Sequence, residues 1–295
     1  MKDFTEDLDS LLTNPNAQDK PTRRDFIKTT LGTGFAAAVL PTLSKAAIVT
    51  DTDGLDAGTV TVMVGDHAMP VYRAQPKGKK HLPIILVVSE IFGVHQHIAD
   101  IARRFAKLGY LALAPDLFGR QGDPTKYTSI PDLLKNLIAK VPDDQVMNDL
   151  DACEAWAYRN GGDTSRIGIT GFCWGGRITW LYAAHNPKVK AGVAWYGRLV
   201  GDKNSLQPSY PADIAASLKA PVLGLYGGKD DGIPLSSVDA MRAALHKGSS
   251  GSEIVVYPDA GHAFYADYRP SYVEAAANDG WKRCTDWFRK HGVQA

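Results

Sequence analysis

With 295 residues, 44% of them hydrophobic and 22% charged, the chain is long enough to bury one large core. A net charge of +1, with no block of lysine or arginine, excludes the electrostatic footprint of a nucleic-acid binder, because phosphate recognition needs clustered positive charge. Cys153, Cys173 and Cys284 stand too far apart for a Cys-x-x-Cys pair or a Cys/His ligand cluster, which excludes a zinc site and a disulfide framework.

Near the start, Thr22-Arg23-Arg24-Asp25-Phe26-Ile27-Lys28 precedes a moderately apolar stretch from Leu31 to Leu40 that is rich in Gly and Ala. That stretch is too short to cross a bilayer, and Pro41 followed by Ser44-Lys45-Ala46 supplies a small-x-small cleavage site. The pattern is similar to a twin-arginine export signal. It predicts a signal peptide and tail over residues 1–46, read by the twin-arginine export machinery, a linker over 47–58, a catalytic domain over 59–295 and a periplasmic location. The alternative is a tail in which two arginines adjoin an alanine-rich run, on a cytoplasmic protein.

From Thr59 to Arg73, alternating Val60, Val62 and Val64 and then Val71 and Tyr72 flank Gly65-Asp66-His67, which predicts an antiparallel hairpin at a sheet edge. Ile84 to Val88 is an unbroken apolar run, as expected for a strand covered on both faces, and Leu111 to Ala114 matches it. Between them Ile98, Ile101, Ala102, Phe105 and Leu108 keep helical spacing, giving a β-α-β unit with parallel strands. A helix from about Gln145 to Arg159, strands at 167–170, 191–196, 222–226 and 253–257, a helix over 237–245 and a last one over 273–290 follow. Strands alternating with helices predict a doubly wound α/β sheet, whose sites gather at the carboxyl ends of strands.

At one such end the β-branched strand Arg166 to Thr170 breaks into Gly171-Phe172-Cys173-Trp174-Gly175-Gly176 and turns at once into a helix. A strand turning straight into a helix forces its apex residue into a strained conformation and requires small neighbours two positions away, which Gly171 and Gly175 supply. The Cys173 thiol then stands at a helix N-terminus, whose dipole and free amides favour thiolate. The motif is a nucleophile elbow carrying sulfur.

In α/β hydrolases the acid and the base follow the nucleophile in that chain order. Strand 222–226 runs into Gly227-Gly228-Lys229-Asp230-Asp231-Gly232, and strand 253–257 leads to Pro258-Asp259-Ala260-Gly261-His262. His262 is thus the candidate base and Asp230 its orienting acid, with Asp231 as rival, while the Trp174 amide and one at an earlier strand end would receive the oxyanion. Cys153 and Cys284 fall within helical apolar patterns and read as core residues. His95-Gln96-His97, opening a helix without further ligands, reads as solvated rather than metal-binding. Glu90, taken alone, reads as a solvated strand terminus.

Together, Glu90-Ile91-Phe92-Gly93-Val94, Ala114-Pro115-Asp116-Leu117-Phe118, the elbow, Gly228-Lys229-Asp230 and Gly261-His262-Ala263-Phe264 resemble the dienelactone hydrolase (carboxymethylenebutenolidase) family, over nearly everything from Thr59 onward. The resemblance implies an α/β-hydrolase fold, and the residues themselves give no reason to expect a metal or a cofactor. The resemblance also implies Cys173 as nucleophile, His262 as base, Asp230 as its partner, Glu90 as a helper in forming thiolate when substrate arrives, and the amides of Ile91 and Trp174 as oxyanion hole. The family's arginine and tyrosine for the substrate carboxylate fall after Asp116, where this chain has no clear counterpart and Arg120, Lys126 and Tyr127 are the candidates. The expected activity is hydrolysis of small lactones or activated carboxylic esters through a cysteine acyl-enzyme. The alternatives are a general carboxylesterase or thioesterase and, from another class, a thiol redox or ligand-binding protein without turnover.

Overall fold

The computed structural model describes residues 48–295, so the expected export signal, with Arg23, Arg24 and the cleavage site after Ala46, lies outside the described residues. Eight strands form one sheet in the order β1-β2-β4-β3-β5-β6-β7-β8. The two antiparallel strands β1 (Leu55–Val64) and β2 (His67–Pro76) are joined through Gly65, whose φ of 59° lies in the left-handed region that glycine occupies without steric cost. Strand β2 pairs antiparallel with β4 (Leu111–Pro115), and from there through β3 (Leu82–Val88), β5 (Gly162–Phe172), β6 (Val189–Trp195), β7 (Val222–Gly227) and β8 (Glu253–Tyr257) all pairings are parallel.

All residues of β3 and β4 are buried, as continuous apolar runs require when helices cover both faces. Helix α1 (Gln96–Lys107) buries Ile98, Ile101, Ala102 and Phe105, one stripe at helical spacing, against the sheet. Helices α3 (Asp143–Arg159), α4 (Trp174–His185), α6 (Leu235–Leu245) and α7 (Glu274–Lys290) complete the alternation, and Cys153 and Cys284 are fully buried in α3 and α7. Among the described residues no helix is long and apolar enough to cross a membrane.

The structure differs from the sequence-based expectation in where β1 begins and in two added short helices. Strand β1 begins at Leu55, inside the expected linker, because Leu55 to Gly58 pair with Arg73 to Pro76 across the hairpin. Ahead of it, the Ile48 amide donates to Asp267 and the Arg103 guanidinium to the Thr50 carbonyl, which fastens this segment to α1. After β4 the chain adds a short helix, α2 (Ile130–Asn136), whose start is capped by the Ser129 hydroxyl accepting from the Asp132 amide. Ser129-x-x-Asp132 is itself a capping signature, so this helix was legible in the sequence. A one-turn helix, α5 (Pro211–Ile214), precedes β7.

The chain moves from β3 outward to β4 and then returns to place β5 on the opposite side of β3. The carboxyl ends of β3 and β5 therefore flank the topological switch point, where an open parallel sheet leaves a crevice. Glu90 follows β3 and Cys173 follows β5.

Candidate active site

Cys173 lies between the end of β5 and the first residue of α4 with φ 53° and ψ −114°, a strained backbone for a non-glycine residue. The elbow is tight enough that a Cβ at Gly171 would strike the Gly175 carbonyl, and one at Gly175 would strike the Val88 carbonyl at the end of β3. A Cβ at Gly176 would stand 2.5 Å from the Trp195 carbonyl oxygen at the end of β6. That same carbonyl accepts the Cys173 amide at 3.0 Å, so three strand ends hold the sulfur-bearing turn. The Trp174 amide opens helix α4, a position with no acceptor within the helix, and points its partial positive charge to the helix N-terminus.

Asp230 and His262 come from the ends of β7 and β8. Both Asp230 oxygens are engaged: Oδ1 accepts from the Gly232 amide at 3.0 Å and the Ile233 amide at 3.2 Å, and Oδ2 lies 2.7 Å from His262 Nδ1. Asp231, the rival, is exposed. Nδ1 faces the carboxylate, and Cys173 acts on the same imidazole by charge and hydrogen bonding. Burial pushes the His262 pKa down, but the Asp230 charge, the Cys173 sulfur and the hydrogen bonds to both outweigh it and hold the imidazolium well above the usual histidine range.

Glu90 is buried, not a solvated strand end, and its Oε2 lies 3.2 Å from His95 Nε2. Burial pushes its carboxyl up, yet the hydrogen bond from His95 and the charges of His95 and His97 win, holding its pKa at about 2. His97 is buried as well, with Nδ1 2.9 Å from Asp267 Oδ1, and Arg104 Nη2 reaches the other Asp267 oxygen at 2.8 Å. The expectation that both histidines are solvated is thus corrected: each is turned inward onto a carboxylate that the sequence places five or 170 positions away. Among the described residues no group of His, Cys, Asp and Glu stands close enough to hold a metal ion.

A cleft is lined by Cys173, Trp174, Ile91 and His262 together with Leu134 and Ile138. Of the sequence candidates for a substrate acid group, Arg120 clasps Asp149 with two hydrogen bonds of 2.6 and 2.7 Å, Lys126 is exposed and Tyr127 packs against the core; none lines this cleft. Arg177 and Arg198 do line it, and Arg177 is held by Asp143 at 2.7 Å through both guanidinium nitrogens. Sequence reasoning missed Arg198; its place just beyond β6, at the carboxyl edge that carries Cys173, was the available signal.

The sequence profile of the dienelactone hydrolase family matches residues 69–292. The chain belongs to this family. It is 58% identical over 294 residues to a Methylorubrum extorquens protein named "Putative carboxymethylenebutenolidase", covering 99% of this chain and all of that one. An Escherichia coli K12 protein of the same name is 56% identical over 265 residues, 90% of this chain and 97% of the relative. A crystal structure titled "Putative Dienelactone Hydrolase", from Klebsiella pneumoniae, superposes with a TM-score of 0.79 at 57% identity, over 80% of this chain and 99% of that one. The dienelactone hydrolase family accounts for the α/β architecture and the antiparallel strands at its N-terminal edge, and it makes this chain a hydrolase of the carboxylic ester class acting on a small molecule.

Proposed function

We propose that the protein cleaves small lactones or activated carboxylic esters through a thioester formed on Cys173. The sulfur attacks the carbonyl carbon, and the developing oxyanion takes hydrogen bonds from the amides of Ile91 and Trp174. The carbon–oxygen bond to the leaving group breaks, and that oxygen takes the proton from His262. His262 then removes a proton from water, which attacks the thioester, releases the carboxylic acid and frees the thiolate, and Glu90 returns the proton it held to sulfur. Asp230 keeps His262 in the tautomer that presents its other nitrogen to sulfur. Glu90, ionised at neutral pH, is the group that takes the thiol proton when substrate arrives, a role carried over from the family.

What carries the reading is the Asp230–His262 hydrogen bond of 2.7 Å beside a cysteine in a strained, glycine-framed turn. A general carboxylesterase or thioesterase would use the same groups and differ only in the acyl and leaving groups admitted. The test is a panel of lactones, aryl esters and thioesters, with quenched samples read by mass spectrometry for an acyl adduct on Cys173. Turnover with that adduct supports the proposal; binding without turnover by any member would favour the non-catalytic alternative.

We also infer export through the twin-arginine route on the strength of Arg23-Arg24 and the apolar run behind them. Replacing both arginines by lysine should retain the protein in the cytoplasm, and unchanged periplasmic recovery would refute this.

A further inference from the structure

Among the described residues four non-glycines have positive φ: His81, Cys173, Tyr196 and Ala263. Three of them stand at the site, since Ala263 follows His262. A bulky aromatic at φ 38° is a sterically costly choice, and Tyr196 has no part in the mechanism derived above.

The cause of the strain is the set of tertiary contacts on either side of Tyr196. Trp195 is tied to the elbow through its carbonyl, which accepts the Cys173 amide at 3.0 Å, and Gly197 packs so closely on Gly176 that no Cβ fits there. Between these two contacts the Tyr196 amide is fixed to the Leu225 carbonyl at 2.8 Å. The backbone is pinned on both sides, and the phenol is turned toward the catalytic groups. Its ring meets the His262 imidazole edge to face at 5.1 Å and Phe264 at 5.2 Å.

The residue is fully buried and stands among those that line the cleft. Its hydroxyl has no hydrogen-bond partner among the described residues. A buried hydroxyl left unpaired is costly, a penalty that a phenylalanine at this position would not incur. Burial raises the phenol pKa well above its usual value, and the nearby charges of Glu90 and Cys173 act the same way. The group is therefore an O–H donor at any pH at which the enzyme would work.

We propose that Tyr196 is a further catalytic residue, whose hydroxyl donates a hydrogen bond to the oxygen that departs from the scissile carbonyl. This rests on the cysteine-hydrolase reading. The carbonyl oxyanion is already served by the Ile91 and Trp174 amides, whereas the departing oxygen must lie at the His262 imidazole against which the Tyr196 ring packs. As the carbon–oxygen bond breaks, its electron pair moves onto that oxygen, the proton comes from the His262 imidazolium, and Tyr196 keeps its own. A donor at this point matters most for basic leaving groups, so it extends cleavage from activated esters to lactones and alkyl esters.

The experiment compares wild-type protein with Tyr196→Phe, which retains the ring, on the 4-nitrophenyl and ethyl esters of one acid. Loss of a hydrogen bond to developing charge should lower kcat/KM for the ethyl ester by about 10- to 100-fold and leave the nitrophenyl ester within about threefold. An equal loss on both esters, which a merely structural role would cause, overturns the proposal, and so does no loss on either. A series of aryl esters keeps the idea open to refutation if Tyr196→Phe fails to fold: the wild type should depend only weakly on leaving-group pKa, and a steep dependence refutes the role. Failure of the parent reading is separately visible, because mass spectra would then show no acyl adduct on Cys173 in the wild type with either ester.

Discussion

His262 Nδ1 stands 2.7 Å from Asp230 Oδ2, and the two side chains are 3% and 0% exposed. A charge-assisted hydrogen bond in such a dry setting dictates both the tautomer and the direction of the imidazole. Asp230→Asn preserves the shape and removes the charge, so kcat should fall by about 10²- to 10⁴-fold with little change in thermal stability. Steady-state kinetics on a reactive aryl ester would check this, and a loss smaller than about threefold would contradict the role of Asp230.

Glu90 makes acid stability depend on one buried carboxylate. Its folded pKa of about 2 lies below the ordinary glutamate value of 4.5, so its contribution is present above pH 4.5 and disappears as pH falls through 2. The interval corresponds to about 3 kcal/mol at most. Urea unfolding between pH 6 and 2 should therefore show a steeper decline for wild type than for Glu90→Gln. In His95→Ala, burial acts without its main opponent, and the decline should begin at higher pH.

The elbow glycines differ from others in what surrounds them. A methyl group at Gly171 or Gly175 would meet backbone carbonyls that cannot move aside, whereas one at Gly261 would meet nothing nearer than 3.5 Å. Gly171→Ala and Gly175→Ala should each cost about 3 kcal/mol or more and abolish activity, with Gly261→Ala costing under about 1 kcal/mol. Denaturation midpoints of the three proteins would separate these cases.

Arg177 joins α4 to the wall of the cleft. It pairs with Asp143 at the start of α3, donates to the Ser209 carbonyl at 2.7 Å and lies 4.8 Å above the Tyr210 ring. Asp143→Asn leaves a buried guanidinium without its counter-charge and should cost about 3–5 kcal/mol. The double change Asp143→Leu with Arg177→Met removes both charges and should cost clearly less, as a double-mutant cycle would show.

The parts legible in the sequence are those governed by local sterics and periodicity. The unbroken apolar runs located β3 and β4, alternation located the hairpin, and glycines two positions either side of Cys173 marked a turn that only they allow. The order of Cys173, Asp230 and His262 along the chain, each after an apolar strand, was enough to place them at one edge of the sheet. Resemblance to the family added Glu90, which periodicity alone would have left in solvent.

Other features depended on which distant side chains the fold presses together. Asp230 and Asp231 are neighbours in sequence, and only the turn after β7 decides that one faces His262 and the other water. Nothing local shows that His95 would meet Glu90, that His97 would meet Asp267, or that Arg120 would be spent on Asp149. The strained phenol of Tyr196 exists because Gly176 and Gly197, 21 positions apart, touch backbone to backbone. The sequence by itself therefore determined the elements and the candidate reactive groups, because backbone sterics and hydrophobic burial act within a few residues. Tertiary structure alone decided the pairing of buried charges and the shape of the cleft, because desolvated groups take whichever partners packing brings within reach.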